Sequence, residues 1–369
     1  MSQALAPELL RWLDAHALAL DQGAPERLAL LRELGKADVF RIGVDTELGG
    51  VGGSLNDALE AIASVARHSL TAAFVCWGHR AFIEYLLQSD NDDLRQRQLP
   101  DLLGGHRAGA TGLSNAMKYL GGIESLQVKA RPEGSGWRLD GALHWVTNLH
   151  PQGFSVAVAV ARADGGAPFV AAVDSASAGV TRTPDLSLLA LQGSNTAALR
   201  FEEVSSDPAE WISDDAHAFL PRVRPAFLGL QCGLAIGLAR ASLDQALASA
   251  QASRHSEVDD VCDLRRALED AVSALHQGLA SGHFKSAAAD LFRLRIHLAE
   301  LAQEAVSREL TCCGGKAYLQ PQGGDFARRW REAAFVPIVT PSLSQLRGQL
   351  RSLPSEASKS HLVHRREAA

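Results

Sequence analysis

From Ala6 to about Gly104, apolar residues recur every three or four positions: Leu9, Leu10 and Leu13; Leu28, Leu30, Leu31 and Leu34; then longer runs from Ser54 to Arg67 and from Leu70 to Leu87. That spacing gathers them on one face of a 3.6-residue turn and predicts a helical unit of about five elements. The cluster Leu48-Gly49-Gly50-Val51-Gly52-Gly53 interrupts it. No G-x-G-x-x-G fits there and no strand-helix unit surrounds it, so it reads as a connecting turn rather than a phosphate loop. From Arg107 to about Val204 the pattern shifts to short runs separated by Gly, Pro, Asp and Asn: Arg107 to Leu113, Glu124 to Arg131, Phe154 to Ala163, Pro168 to Asp174, Val180 to Thr183 and Ala197 to Phe201. Strands without intervening helices predict antiparallel sheets closing on each other. After Ala216 helical spacing returns, with Pro225 near the start of the first helix and Gly314-Gly315 interrupting a later one. Leu238, Leu243 and Leu247, and Leu264, Leu268 and Leu275, give the faces of a four-helix bundle.

The predicted fold class is therefore α+β. A helical domain spans residues 1–105, a central antiparallel β domain 106–212, a C-terminal four-helix bundle 213–354 and a polar tail 355–369. No internal repeat is visible. Within the β domain the stretch Gly136 to Asn148, GWRLDGALHWVTN, has a two-residue period on Trp137, Leu139 and Gly141 and again on Leu143, Trp145 and Thr147. It reads as a hairpin whose second strand carries an indole and a hydroxyl on one face. Such a pair can stack on a flat heterocycle and hydrogen-bond its edge. A buried Trp at a strand end is the plainer alternative.

Composition narrows the function classes. A length of 369 residues, 46% hydrophobic and 21% charged, suits two or three globular domains. The net charge of −6 gives no electrostatic support for a nucleic-acid or anionic-membrane partner. No uninterrupted apolar run long enough for a membrane span, and no signal segment, is evident, which leads us to expect a cytoplasmic protein. Five cysteines without paired spacing, and no H-E-x-x-H, predict reduced thiols and no metal. His255, Glu257, Asp259, Asp260 and Asp263 read as a polar helix face rather than a metal cluster. The Leu- and Ala-rich stretch Leu234 to Ala252 carries more apolar surface than one bundle interior needs, so a homodimer or homotetramer is expected.

Four local motifs, in a helix-sheet-helix frame, resemble the acyl-CoA dehydrogenase superfamily of flavoproteins over nearly the whole chain. Trp145-Val146-Thr147-Asn148 is similar to that family's W-I-T-N, where the Trp packs on the isoalloxazine and the hydroxyl bonds flavin N5. Gly193-Ser194-Asn195-Thr196, followed by Leu199 to Val204, resembles its closing β strand. Cys313-Gly314-Gly315-Lys316-Ala317-Tyr318 resembles the G-G-x-G-Y turn, where close backbone approach to the adenosine half of FAD needs glycine. Trp330-Arg331-Glu332-Ala333 is similar to Y-R-D-A. The resemblance implies FAD, with FMN as a reduced co-substrate the alternative. It assigns to the cofactor Thr111, Leu113, Ser114, Asn115, Trp145, Thr147, Gly314, Gly315 and Ser342, together with Arg254 as a pyrophosphate contact of the R-x-x-F-G kind, although the Phe-Gly is missing.

The departures bear on chemistry. Dehydrogenating an acyl thioester needs a carboxylate to take the α-proton. Counted from Arg331, the family's glutamate position falls on Thr340, and no Asp or Glu occurs between Glu332 and Glu356. The other known placement, near Val223 or Phe227, also lacks an acid, none occurring between Asp215 and Asp244. Ser114-Asn115-Ala116 is similar to the G-N-A of the superfamily's dibenzothiophene monooxygenase branch, and Thr340-Pro341 to that branch's H-D-P, but its histidine would fall on Val339. Trp77 and His79 lie on the helix that lines the substrate cavity in relatives. His79 is a candidate proton handler there, with a core histidine as the alternative. Glu332 reads as an arginine partner. The expectation is a flavin-dependent oxidoreductase of acyl-CoA dehydrogenase type acting on an acyl thioester or similar substrate without the usual Glu. The alternatives are a two-component monooxygenase using reduced flavin and O2, and a catalytically silent subunit of a hetero-oligomer.

Overall fold

The computed structural model describes residues 4–134, 136–253, 257–320 and 323–353. Five N-terminal α-helices stand where the periodicity places them: α1 (Pro7–Asp21), α2 (Leu30–Lys36), α3 (Leu55–His68), α4 (Leu70–Leu87) and α5 (Asp92–Leu103). Ser54 opens α3 with a capping box to Asp57, and Ser69 caps α4 through the Ala72 N–H, so two helices follow each other with a single-residue break. The sequence of α4 is apolar on nearly every face, and the helix is buried almost all round, against α3, α5, β1 (Ala108–Thr111) and α7 (Ala216–Ser253). The glycine cluster is a turn: a short 3-10 segment ends at Gly49, φ +84°, and Val44 bridges to Gly52.

The central sheet differs from expectation in two ways. It is mixed rather than antiparallel. Its strands run β6 (Val180–Arg182), β7 (Ala197–Ser206), β3 (Gly136–Val146), β2 (Val128–Glu133), β4 (Phe154–Arg162), β5 (Phe169–Asp174) and β8 (Trp211–Ser213), and both β1 and β2 pair parallel to β4. A short helix, α6 (Ser114–Leu120), lies in the connection between β1 and β2, so the chain can return in the same direction along β4. Second, Gly136 to Val146 is one strand, not a hairpin. Opposite Asp140 the ladder with β7 is irregular, Glu202 and Glu203 (φ +52°) of β7 facing one residue of β3, and at Gly141, φ +143°, an added Cβ would lie 2.3 Å from the Gln127 carbonyl oxygen. The tight turn falls earlier, between Glu133 and Gly136, joining β2 to β3.

The C-terminal unit consists of α7, α8 (Val258–Ala280) and α9 (Ala288–Cys313), with the shorter α10 (Gly324–Phe335) and α11 (Leu343–Ser352) packed on α9. Helix α7 is long and apolar enough to cross a bilayer by length and composition, yet 89% of its most apolar window is buried inside the protein, mainly against α3 and α9. Leu234, Ile236, Leu238, Leu243, Ala246 and Ala250 all face the interior of this chain. The apolar surface from which an oligomer was expected is therefore already covered.

Candidate functional site

A cavity of about 280 Å³ opens where the three units meet. Helix α4 supplies Phe74 and Trp77, one turn apart on the same face, with parallel rings 5.6 Å between centroids. The Trp77 indole N–H donates to the Phe227 carbonyl at 3.2 Å, which fixes the ring. Phe335, just beyond Arg331 and Glu332, meets Phe74 edge-on at 4.7 Å, and Ile338, Val339 and Thr340 continue that wall. The opposite wall carries a cluster of linked hydroxyls. The Thr147 hydroxyl donates to the Ser194 carbonyl at 3.2 Å and accepts from Thr196 Oγ1 at 3.1 Å, and Thr196 Oγ1 lies 2.8 Å from Ser194 Oγ. Asn148 (φ 61°) and Asn195 (φ 51°) both adopt the left-handed conformation, and the backbone N–H groups of Asn148 and Leu149 donate to Ser194 and Asn195. The W-V-T-N and G-S-N-T stretches are thus one interlocked turn. Position 78 is glycine because an added Cβ would sit 2.8 Å from Thr147 Cγ2.

Trp145 lies at the mouth with 63% of its surface exposed, unusual for an indole. Thr111 and Ser114 complete the lining from the end of β1 and the start of α6, with Leu188, Leu191 and Thr196 closing the far side. Among the described residues, no lining side chain is titratable. An exposed aromatic face, one edge of ordered hydroxyls and otherwise apolar walls fit a flat, uncharged heterocycle such as the flavin ring.

Residues 3–106 match the family description "Acyl-CoA dehydrogenase, N-terminal domain". A probable acyl-CoA dehydrogenase of Mycobacterium tuberculosis is 26% identical over 241 residues, a stretch covering 63% of this chain and 61% of that protein's length. The chain is thus similar to acyl-CoA dehydrogenases, whose N-terminal domain its residues 3–106 match. Butyryl-CoA dehydrogenase from Megasphaera elsdenii superposes with a TM-score of 0.79 at 15% identity, covering 95% of this chain and 98% of that one. Dibenzothiophene monooxygenase from Paenibacillus sp. A11-2 does so with 0.77 at 18% identity, over 92% and 93%. The acyl-CoA dehydrogenase fold is therefore common to neighbours named for two different chemistries.

The cavity brings together Thr111, Ser114, Trp145, Thr147 and Thr340, and Trp77 with them. Other candidates have different work. His79 is fully buried and outside the lining: its Nδ1 accepts from the Gly109 N–H and its Nε2–H donates to the Leu102 carbonyl, both at 2.9 Å, while Phe40 packs on the ring. Burial pushes its pKa down to about 4, so it is a neutral core histidine and not a proton handler. Asn115 does not reach the cavity either. Its amide donates to Glu124 and to the Ser125 carbonyl, its oxygen accepts from the Gln127 N–H, and it clamps the loop leading to β2. Leu113 is fully buried at the N-cap of α6, and Ser342 forms the capping box of α11 with Gln345. Gly314 needs glycine for its backbone (φ +58°). A Cβ on Gly314 or Gly315 would meet nothing within 4 Å among the described residues, so no close approach by them explains the pair. Arg254 lies outside the described residues.

Glu332 is a structural partner: Arg328 donates to both of its oxygens at 2.8 and 3.0 Å and the Leu70 N–H at 3.1 Å, leaving no carboxylate for the cavity. Two kinds of lining position carry no sequence motif. Phe74 is recoverable as the residue one turn before Trp77, whereas Leu188 and Leu191 come from an irregular connection with no period to betray them; Thr196 belongs to the G-S-N-T stretch already singled out.

Proposed function

We propose that this chain is a flavin-dependent oxidoreductase whose reaction proceeds without a protein carboxylate: oxygen transfer from O2 to a small, apolar, uncharged substrate. The observation that carries it is the lining itself, aromatic and aliphatic with a few hydroxyls and no titratable group among its described residues. Flavin, when bound, supplies two-electron chemistry, accepting hydride or, once reduced, activating O2. Trp145 would stack on its ring, Thr147 would present a hydroxyl, held by Ser194 and Thr196, at the ring edge, and Phe74, Trp77, Phe335 and Val339 would exclude water. FAD and FMN share the ring these residues address.

A second reading, dehydrogenation of an acyl thioester, is favoured by the relatives' names. At position 340 it requires a base, and a threonine hydroxyl is none at neutral pH, a deficit of about 10²–10⁴-fold in rate. The two readings separate in one experiment. The flavin-loaded protein is mixed anaerobically with a panel of acyl-CoAs, and its reduced form is then mixed with O2 and heteroaromatic substrates. The expected result is no flavin bleaching by acyl-CoAs, with a gain only in Thr340→Glu, and O2-dependent product from an apolar substrate. Rapid bleaching of the unmodified protein overturns the oxygen-transfer reading. We further propose that the chain forms a homo-oligomer through the exposed Tyr318, Leu319 and Trp330 rather than α7. Light scattering that finds the same oligomer in Trp330→Glu would remove that assignment.

A further inference from the structure

Position 295 falls in the buried stripe of α9, between Leu291 and Leu298, where the spacing calls for an apolar residue, and the chain places an arginine there. Its side chain is fully buried. Among the described residues it has no carboxylate partner, and burial works against its charge, yet a guanidinium starts so high that it remains a cation at neutral pH. What it does have is two carbonyl-type acceptors. Nε donates to Gln231 Oε1 at 2.9 Å and Nη2 to the Val336 carbonyl at 2.8 Å, at the C-terminal, electronegative end of α10, while Nη1 has no partner among the described residues. Gln231, itself fully buried on α7, passes the connection on: its Nε2 donates to the Thr340 carbonyl at 3.0 Å.

The segment that forms one wall of the cavity is thus fastened at Val336 and again at Thr340, and the fastener is a buried, unneutralised cation directly behind it. Charges in an apolar medium act over longer distances than in water, and the wall between this cation and the cavity has no acid to cancel it. We propose that Arg295, through Gln231, is a positioning residue for the Phe335–Thr340 wall and biases the cavity toward anions, so that it binds reduced flavin, an anion near neutral pH, more tightly than neutral oxidised flavin. The proposal rests on the flavin reading above and assigns to it an electrostatic origin outside the lining.

The test is equilibrium titration of the protein, freed of bound flavin, with oxidised FMN and with anaerobically reduced FMN, for the unmodified chain, Arg295→Lys, Arg295→Met, Gln231→Leu and the double variant Arg295→Met/Gln231→Leu. Arg295→Met should lower the reduced-to-oxidised affinity ratio by about tenfold, the equivalent of one pKa unit of differential interaction. Arg295→Lys, which keeps the charge, should recover most of it. Replacing both partners of the Arg295–Gln231 hydrogen bond by apolar groups avoids leaving either buried side chain without the other, so the double variant keeps the test alive if a single variant unfolds. It should melt normally and still show the lost ratio, an outcome that a purely structural arginine would not give. Gln231→Leu should speed amide exchange across residues 336–341 while retaining part of the ratio. An unmodified chain that binds both forms, with a ratio unmoved in Arg295→Met and in the double variant, overturns this proposal alone. An unmodified chain that binds neither form overturns the flavin reading and this proposal with it.

Discussion

Helix α10 and the segment that follows it handle charge in opposite ways. Along α10, Arg328 is paired with Glu332 and Arg329 with Glu309 in the protein interior, and Arg331 reaches the buried Asp21 at 2.5 Å. From Phe335 to Thr340, with the same cavity close by, there is no charged side chain. The difference teaches that this chain buries ionised groups readily when it can pair them, so a cavity without a carboxylate is a property of the site rather than a general aversion to buried charge. A residue placed in it meets only hydroxyls and hydrocarbon, and any proton that moves there has to be carried by the ligands.

The largest expected effect tests the paired side of that contrast. Glu332→Ala leaves the buried Arg328 with only the exposed Asp325 at 3.7 Å among the described residues and should destabilise the fold by about 3 kcal/mol, whereas Thr340→Ala should cost under ~1 kcal/mol. Urea unfolding of the two variants checks this, and similar losses would erase the distinction between the regions.

The next effect concerns a titratable group that the core keeps neutral. In the unfolded chain His79 takes a proton near pH 6.5, while in the fold its pKa is about 4. As pH falls from about 6.5 the unfolded state gains a proton that the native state refuses, so stability drops down to about pH 4 and then no further on this account. The total is roughly 3 kcal/mol. His79→Leu should therefore flatten the pH dependence between about 6.5 and 4 by close to one proton, even though it lowers stability at pH 7 by removing the Leu102 and Gly109 bonds. An unchanged slope would place the histidine's charge elsewhere.

The smallest effect on stability belongs to Trp145. Because most of its indole is exposed, Trp145→Ala should change unfolding free energy by no more than about 0.5 kcal/mol, yet weaken flavin binding by about tenfold or more. Fluorescence titration with oxidised flavin separates the two. Unaltered affinity would detach the exposed indole from the ligand and leave the cavity without its flat platform.

Much of this was legible in the sequence, for physical reasons that also mark where legibility stops. The helices around Leu59, Leu86 and Leu268 follow from periodicity, and Ser54 and Ser69 mark their starts through capping. Trp145 and Thr147 line the same cavity, as two positions apart on an extended chain should. Asp140-Gly141 suits a two-residue turn and a strand interior equally, and only the unbroken pairing of Val128 to Glu133 along Gly141 to Gly136 decides for the strand. The parallel pairing of β2 to β4 depends on the short α6, whose sequence Ser114 to Leu120 carries no helical signal strong enough to stand against its strand-rich surroundings. Asn115 illustrates a different limit: side-chain amides serve a ligand or a loop with the same atoms, and the neighbours that claim them, Glu124 and Gln127, lie about ten residues away. Arg295 interrupts an apolar stripe, a signal visible in the sequence, but its meaning resides in Gln231 and Val336 on other elements.

The cavity walls come from α4, from the end of β3 and from the segment after α10, stretches far apart in the chain. Closing such distant segments on one another belongs to the slow, non-local part of folding, so the site exists only in molecules that have assembled all three units. A ligand seated there ties the units to each other, and at a hundred times its dissociation constant it adds about 2.7 kcal/mol to the stability of the whole chain. Partial openings that part α4 from the Phe335–Thr340 wall would at the same time release the ligand, so its residence time and the native-state hydrogen exchange of these segments should rise and fall together.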